Sequence, residues 1–183
     1  YFKKSQKPRI IINAGGFTQD RPLPKNKRKE LYGLIIDSLK KIDTSGVEII
    51  PQTMPPFPWH FGGQRFHNLF VDPDEIKEFC EEFSYKICFD ISHSKLACNH
   101  YNWSFSDFIK KVIPFTSHMH IADAAGKDGE GLGVGEGEID FSIFKNITEN
   151  KKYDLSFIPE IWQGHKNNGQ GFWESLEKLE SFF

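Results

Sequence analysis

Short apolar stretches alternate with longer segments of helical periodicity along the whole chain. The apolar stretches predict five buried strands, at residues 9–13, 47–53, 86–90, 118–122 and 156–161. Apolar spacing and helix-start residues predict helices over residues 29–42, 72–83, 104–112, 140–147 and 171–182. Five consecutive strand–helix units are typical of a parallel sheet with helices outside it, so we expect an α/β fold.

No repeat or low-complexity linker divides the 183 residues, and we expect residues 1–183 to form a single domain. The net charge of −2 argues against a nucleic-acid-binding surface, which needs an excess of Lys and Arg. The only dense basic run, residues 25–29, is interpreted as the solvated start of a helix. No apolar run approaches the ~20 residues of a membrane span, so no membrane partner is expected.

The cysteines Cys80, Cys88 and Cys98 are odd in number and lack CxxC spacing. This pattern does not fit a disulfide framework and favours a reducing compartment, so we expect a cytoplasmic protein. The chain begins with Tyr1 rather than Met, which suggests a fragment or a processed form.

Side chains that can bind metals or substrates stand at the ends of the predicted strands. They are Gln52, Asp90, His93, His118, His120 and Glu160. In parallel α/β folds the ligand site lies at the carboxyl ends of the strands, so these residues should converge although they are far apart in sequence. Carboxylate and imidazole groups together suit a divalent transition metal such as Mn²⁺, Zn²⁺ or Co²⁺.

The fourth predicted strand carries two histidines on one face. Side chains alternate along a strand, so His118 and His120 should point to the same side. The glycine-rich segment 126–137 that follows is expected to be a mobile loop at a catalytic face. The alternative is a pair of hydrogen-bonded core histidines with no catalytic role.

Four short motifs occur in a characteristic order. They are Asp-x-x-His at 90–93, His-x-x-Asp at 120–123, Gly-x-Gly-Glu-Gly at 133–137 and Pro-Glu-Ile at 159–161. In this order they resemble the xylose-isomerase-like barrel superfamily, which includes sugar and sugar-phosphate isomerases and epimerases and the abasic-site endonucleases of the endonuclease IV type. The resemblance implies a (β/α)₈ barrel with a divalent metal at its C-terminal face.

The same resemblance assigns roles to particular residues. Asp90, His120 and Glu160 match three metal ligands from the last three strands, and Glu160 would also act as the catalytic base. His93 matches a histidine that contacts metal or substrate, and we expect it to be catalytic. His118 would support the ligands or contact the substrate.

Two features depart from the family pattern. Five strand–helix units correspond to the last five of eight, which implies a partial barrel with missing first strands, completed by a preceding segment or by a homodimer. The family usually has a glutamate ligand where this chain has Gln52. A glutamine can offer an amide oxygen to a metal, but it cannot act as a base.

Two loops contain candidate sugar-binding residues. Trp59 could stack on a sugar face, and Gln64 and Arg65 could bind hydroxyls or a phosphate. Lys166, just after the last predicted strand, could hold a phosphate or carboxylate. The alternatives are a rigid lid packed by aromatic rings and a plain solvated loop.

The predicted function is therefore a metal-dependent isomerase or epimerase acting on a sugar or sugar phosphate. One alternative is a non-catalytic sugar-binding module of a larger carbohydrate-biosynthesis enzyme. A phosphodiesterase of the abasic-endonuclease type fits less well, because that chemistry usually gathers three metals and a basic groove.

Overall fold

The computed structural model describes residues 7–60, 62–145 and 155–182. Its strands are β1 (Arg9–Ile12), β2 (Phe17–Thr18), β3 (Glu48–Pro51), β4 (Trp59–His60), β5 (Gly63–Gln64), β6 (Phe66–His67), β7 (Ile87–Asp90), β8 (Thr116–Ile121), β9 (Asp123–Ala125), β10 (Gly129–Leu132) and β11 (Ser156–Pro159). Its α-helices are α1 (Lys25–Leu39), α2 (Pro73–Phe83), α3 (Ile91–Tyr101), α4 (Phe105–Val112) and α5 (Lys166–Glu180).

The five predicted strands are present and run parallel. β1 pairs with β3, and β7 and β11 pair with the two sides of β8. A parallel bridge from Gln52 to Cys88 connects the end of β3 to β7. The strands therefore follow one another across the sheet in chain order, as in a barrel wall whose consecutive strands are neighbours. Three short antiparallel pairings, β2 with β6, β4 with β5 and the hairpin of β9 and β10, lie outside this wall.

Helix starts follow ordinary capping chemistry. Asp72 caps α2, where its side chain accepts the backbone N–H groups of Asp74 and Glu75. Ser104 caps α4 through the N–H of Asp107. The basic run at residues 25–29 forms the first turns of α1, as predicted, so this helix starts four residues before the predicted position.

The core lies between the sheet and the helices. Phe89 of β7 packs against Phe108 of α4, with ring centroids 6.2 Å apart, and both rings are fully buried. Elsewhere in the core, the Tyr32 hydroxyl of α1 accepts a hydrogen bond from the buried backbone N–H of Phe70 at 2.7 Å. Burying each such ring stabilises the fold by roughly 1.5–3 kcal/mol relative to exposure.

The sheet is not closed, and its two edge strands expose apolar side chains. Ile10 of β1 is 45 % exposed, and Phe157 and Ile158 of β11 are 45 % and 44 % exposed. Among the described residues, β1 and β11 are joined by a hydrogen bond between side chains, which the Arg9 guanidinium donates to the Ser156 hydroxyl at 2.8 Å. The partial barrel is thus confirmed, while its completion by a preceding segment or a second copy stays a prediction.

Three parts of the chain differ from the sequence expectation. Helix α3 was not predicted, because it buries Ser92, Ser94 and Cys98 as well as apolar residues and so has no clear apolar face. The helix expected at 140–147 begins as a short 3₁₀ segment, Phe141–Phe144, and residues 146–147 lie outside the described residues. The last helix starts at Lys166, with a non-helical kink over residues 167–169. In the part of the chain that the structure describes, no helix is both long and apolar enough to cross a membrane.

Candidate metal centre and active site

Asp90 is both the last residue of β7 and the N-cap residue of α3. Its backbone keeps the extended conformation of the strand, while its Oδ1 accepts the His93 N–H at 2.9 Å and so caps the helix. The Asp-x-x-His spacing is thus that of a helix cap and a residue of the first turn. The other carboxylate oxygen, Oδ2, accepts an N–H from the Gln52 side chain at 2.8 Å.

His120 and Glu160 approach Asp90 from the next two strands. Strand register places His120 beside Asp90 on one side and Ile158 on the other, and Glu160 follows β11 directly. His120 Nδ1 lies 3.7 Å from Asp90 Oδ2 and 2.5 Å from Glu160 Oε2. One ligand atom of each residue lies within 4.8 Å of the other two.

The buried His120 ring fits a metal ligand better than a core histidine. Neither ring nitrogen makes a hydrogen bond of good geometry with any described residue, and the short Nδ1 contact to Glu160 is not aligned as one. Buried polar atoms are normally hydrogen-bonded, and a cation bound by the ring would provide the partner that aligned hydrogen bonds do not. Two carboxylates and one imidazole are a donor set that suits Zn²⁺, Mn²⁺ or Co²⁺.

The three groups also control each other's charge. Burial disfavours the ionised form of Asp90, but His93 and His120 outweigh burial and hold the pKa of Asp90 below its ordinary value. Burial likewise lowers the pKa of His120, but Asp90, Cys88 and Glu160 reverse that effect and raise it. Without a metal the imidazole therefore holds a proton, which a cation must displace in order to bind.

His93 lies between this cluster and the hairpin of β9 and β10. Its Nδ1 is 3.0 Å from the Thr53 carbonyl oxygen and 3.3 Å from Asp90 Oδ2, two acceptors that favour an N–H there. Its Nε2 faces the other way, 3.5 Å from Glu130 Oε2. The ring is thus held by Thr53 and Asp90 on one side and faces Glu130 at the edge of the cavity on the other.

A cavity of about 390 Å³ opens above these residues. Its lining includes Asp90, Ser92, His93, Glu130, Gly131, Glu160, Trp162, Gln163 and His165. Glu130 and Gln163 were not among the predicted site residues. The Glu130 position, inside a glycine-rich hairpin, has no sequence signal that distinguishes it from the neighbouring exposed acids.

The structure places His118 on the same side as His120, as predicted, but not in the cavity lining. The two rings meet edge to face with centroids 5.4 Å apart, and His118 Nδ1 is 2.7 Å from the Ser156 hydroxyl. Burial, with smaller effects of His120 and Arg9, lowers the pKa of His118 to about 4. His118 is therefore a neutral neighbour of the candidate ligand.

The predicted sugar-binding residues of the two loops are also absent from that lining. Trp59 is 67 % exposed in the β4–β5 hairpin, and the Gln64 side chain donates to the Phe57 carbonyl at 3.2 Å. The backbone N–H of Arg65 bonds to Pro58, and Lys166 bonds to the Gln163 side chain at 2.8 Å. Their role in substrate binding stays a prediction.

The glycine-rich segment is held by hydrogen bonds rather than being an open loop. The buried Asp123 carboxylate accepts the backbone N–H groups of Gly135 at 3.0 Å, Gly137 at 2.9 Å and Ile139 at 3.0 Å. A Cβ at Gly137 would lie 2.5 Å from Asp123 Oδ1. The Gly-x-Gly-Glu-Gly motif thus binds a carboxylate of the protein itself, and Asp123 has a structural role.

Comparison with known proteins agrees with this architecture. The family model described as "Xylose isomerase-like TIM barrel" matches residues 8–182. No curated protein sequence matches the chain.

Solved structures share the fold at low sequence identity. A D-tagatose 3-epimerase-like protein is 22 % identical with a TM-score of 0.61, and the match covers 95 % of this chain and 64 % of that one. D-psicose 3-epimerase from Clostridium cellulolyticum H10 is 12 % identical with a TM-score of 0.63, and the match covers 96 % and 64 %. The probable 3-DHS dehydratase AsbF from Bacillus anthracis is 14 % identical with a TM-score of 0.63, and the match covers 94 % and 63 %. The chain therefore spans less than two thirds of the length of these structures, and they include more than one kind of enzyme.

Proposed function

Because the chain belongs to the xylose isomerase-like TIM-barrel family, we propose that it is a metal-dependent isomerase or epimerase acting on a sugar or sugar phosphate. One observation supports this proposal above the others. Asp90, His120 and Glu160 come from three successive strands, and their ligand atoms lie within 4.8 Å of one another beside an open cavity. Two of the three side chains are buried, as is usual for a built site rather than for a chance cluster of surface acids.

The chemistry of the proposal is proton transfer at the carbon next to a sugar carbonyl. A divalent cation held by Asp90, His120 and Glu160 would polarise the carbonyl and stabilise negative charge on its oxygen. Glu160 is 55 % exposed and lines the cavity, so its carboxylate is positioned to remove the proton. His93, which lines the cavity, would bind a sugar hydroxyl, and the exposed ring of Trp162 would stack on the sugar.

The non-catalytic sugar-binding module is kept as a second candidate because of Gln52. Its amide N–H, rather than its oxygen, faces Asp90, so it occupies one oxygen of a candidate metal ligand instead of adding another. A metal ligand at this position would require the amide to turn over, with loss of that hydrogen bond. The Gln52 contact would weaken a metal site but would leave the cavity intact.

Elemental analysis and isotope exchange together test the proposal. Purified protein loaded with Mn²⁺, Zn²⁺ or Co²⁺ should hold about one metal per chain, Asp90→Ala should lose it, and the surface control Asp128→Ala should retain it. In D₂O, the loaded protein should introduce deuterium next to the carbonyl of D-tagatose, D-psicose or L-ribulose. A protein that binds these sugars but neither holds metal nor exchanges protons would instead be the binding module.

A further inference from the structure

Glu130 lies in the same cavity as Glu160 but reaches it from a different part of the fold. We propose that Glu130 is a second catalytic carboxylate and exchanges protons with the substrate carbon that Glu160 also serves. This assignment rests on the proposed function. It makes the reaction an epimerisation, because inversion at carbon is the case that needs an acid–base group on each face.

A chain of contacts links the two glutamates through the candidate metal site. Glu160 Oε2 lies 2.5 Å from His120, and His120 lies 3.7 Å from Asp90. Asp90 lies 3.3 Å from His93 Nδ1, and His93 Nε2 lies 3.5 Å from Glu130 Oε2. Glu130 and Glu160 are the two ends of this chain, and both line the cavity. A substrate bound over the chain would have one carboxylate at each end.

The backbone holds Glu130 in place although it belongs to a glycine-rich hairpin. The N–H of the next residue, Gly131, donates to the Ser92 hydroxyl at 3.2 Å, and its carbonyl accepts the Trp162 N–H at 2.7 Å. Gly131 has φ +71°, and a Cβ there would lie 3.2 Å from the Trp162 Cβ. The hairpin is thus anchored on both sides beside Glu130, which keeps the carboxylate at the cavity, as proton transfer requires.

Gln52 makes this second carboxylate necessary for an epimerase. A glutamine amide neither accepts nor returns a proton at neutral pH, so the β3 end of the site cannot perform the second transfer. Glu160 takes the proton from the C–H bond, whose electron pair forms a C=C bond as the carbonyl electrons move to oxygen. Protonated Glu130 then gives its proton to the same carbon from the other face, and the carbonyl re-forms. Exchange of protons between the two carboxyl groups and water resets the site.

The test separates proton removal from inversion. D-tagatose, D-psicose and L-ribulose are each incubated in D₂O with metal-loaded protein, and deuterium in the starting sugar and the appearance of the epimer are followed by NMR. Glu130→Gln keeps the size of the side chain and removes its acid–base chemistry. We expect it to lower epimer formation at least about 100-fold. Because Glu160 remains, deuteration of the starting sugars whose C–H faces Glu160 should continue within about threefold of the unsubstituted rate.

Matched variants exclude a structural explanation. Asp128→Asn removes an exposed carboxylate from the same hairpin and should change neither rate. Glu130→Asp keeps the carboxylate and should recover part of the epimerisation. This variant also tests the assignment if Glu130→Gln folds poorly. An unchanged rate of epimer formation in Glu130→Gln would overturn the assignment of Glu130. So would parallel loss of deuteration and epimer formation with all three sugars, since a distorted site loses both. If the unsubstituted protein exchanges no proton with any of the three sugars, the proposed function is wrong, and the role of Glu130 falls with it.

Discussion

His120 Nδ1 and Glu160 Oε2 lie 2.5 Å apart although His120 belongs to β8 and Glu160 follows β11, the next strand of the barrel wall. The parallel pairing of β8 with β11 produces this contact, because it aligns Ile158 with His120 and leaves Glu160 just beyond the strand end. The contact places the His120 imidazole and the Glu160 carboxylate side by side, with the Asp90 carboxylate next to them. It is therefore the relationship on which the candidate metal site depends.

We expect metal binding to strengthen as the pH rises. The carboxylates raise the pKa of His120, so the metal-free ring is protonated at neutral pH and a cation must displace that proton. The apparent affinity should increase about tenfold per pH unit while one proton is released. Calorimetric titration of Zn²⁺ in two buffers of different ionisation enthalpy measures the number of protons. A count of zero at pH 7 would mean that His120 is neutral before binding, contrary to this expectation.

Glu160→Gln should remove proton exchange without unfolding the protein. The substitution keeps the size of the side chain but removes the base, so the rate of sugar deuteration should fall about 10²–10⁴-fold. The side chain is 55 % exposed, so the free energy of unfolding should change by less than about 1 kcal/mol. Glu174→Gln, on the exposed surface of α5, is the matched control and should leave both quantities unchanged. An undiminished exchange rate in Glu160→Gln would remove Glu160 from the mechanism.

Asp123→Asn should destabilise the fold. The carboxylate accepts hydrogen bonds from three backbone N–H groups of residues 135–139. The amide nitrogen of an asparagine carries hydrogens and cannot accept, so at least one of these N–H groups would lose its acceptor. We expect a loss of about 3 kcal/mol in the free energy of unfolding, measured by urea titration. Gly137→Ala should act in the same direction, because its Cβ would meet Asp123.

Gly33→Ala is the control for the glycine substitution. It lies in α1 with no heavy atom within 4 Å of an added Cβ, and should stabilise the protein by up to about 1 kcal/mol. If Gly33→Ala and Gly137→Ala changed the free energy of unfolding equally, the clash with Asp123 would be relieved by movement of the loop.

The thiol of Cys80 should not react in the folded protein. Burial raises its pKa to about 12, so at pH 8 the native state contains almost no thiolate, which is the reactive form. A disulfide reagent at pH 8 should modify Cys80 only as fast as the chain unfolds, and at once in urea. Because the unfolded thiol ionises near pH 9 and the folded thiol does not, its contribution to stability is lost as the pH rises above about 9. Rapid stoichiometric labelling of Cys80 at pH 8 without denaturant would contradict this environment.

Local patterns in the sequence determined the five parallel strands and the convergence of Asp90, His120 and Glu160. Apolar stretches of strand length are a local signal, and parallel strands of one sheet must present their carboxyl ends at the same edge. The family match confirms the resemblance carried by the motifs at residues 90–93, 120–123, 133–137 and 159–161. The partial barrel likewise follows from the count of strand–helix units, which depends only on their order.

The tertiary structure alone decided which of the remaining polar residues face the cavity. Glu130 enters it because two hydrogen bonds anchor Gly131 to α3 and to the segment after β11, and these partners are 39 and 31 residues away. Asp123 turns instead towards the backbone of residues 135–139, and Gln52 presents its amide nitrogen to Asp90. Helix α3 escaped prediction because it buries polar as well as apolar side chains, so hydrophobic periodicity does not mark it. Such side-chain directions depend on contacts between distant segments, which a local pattern of residue types does not contain.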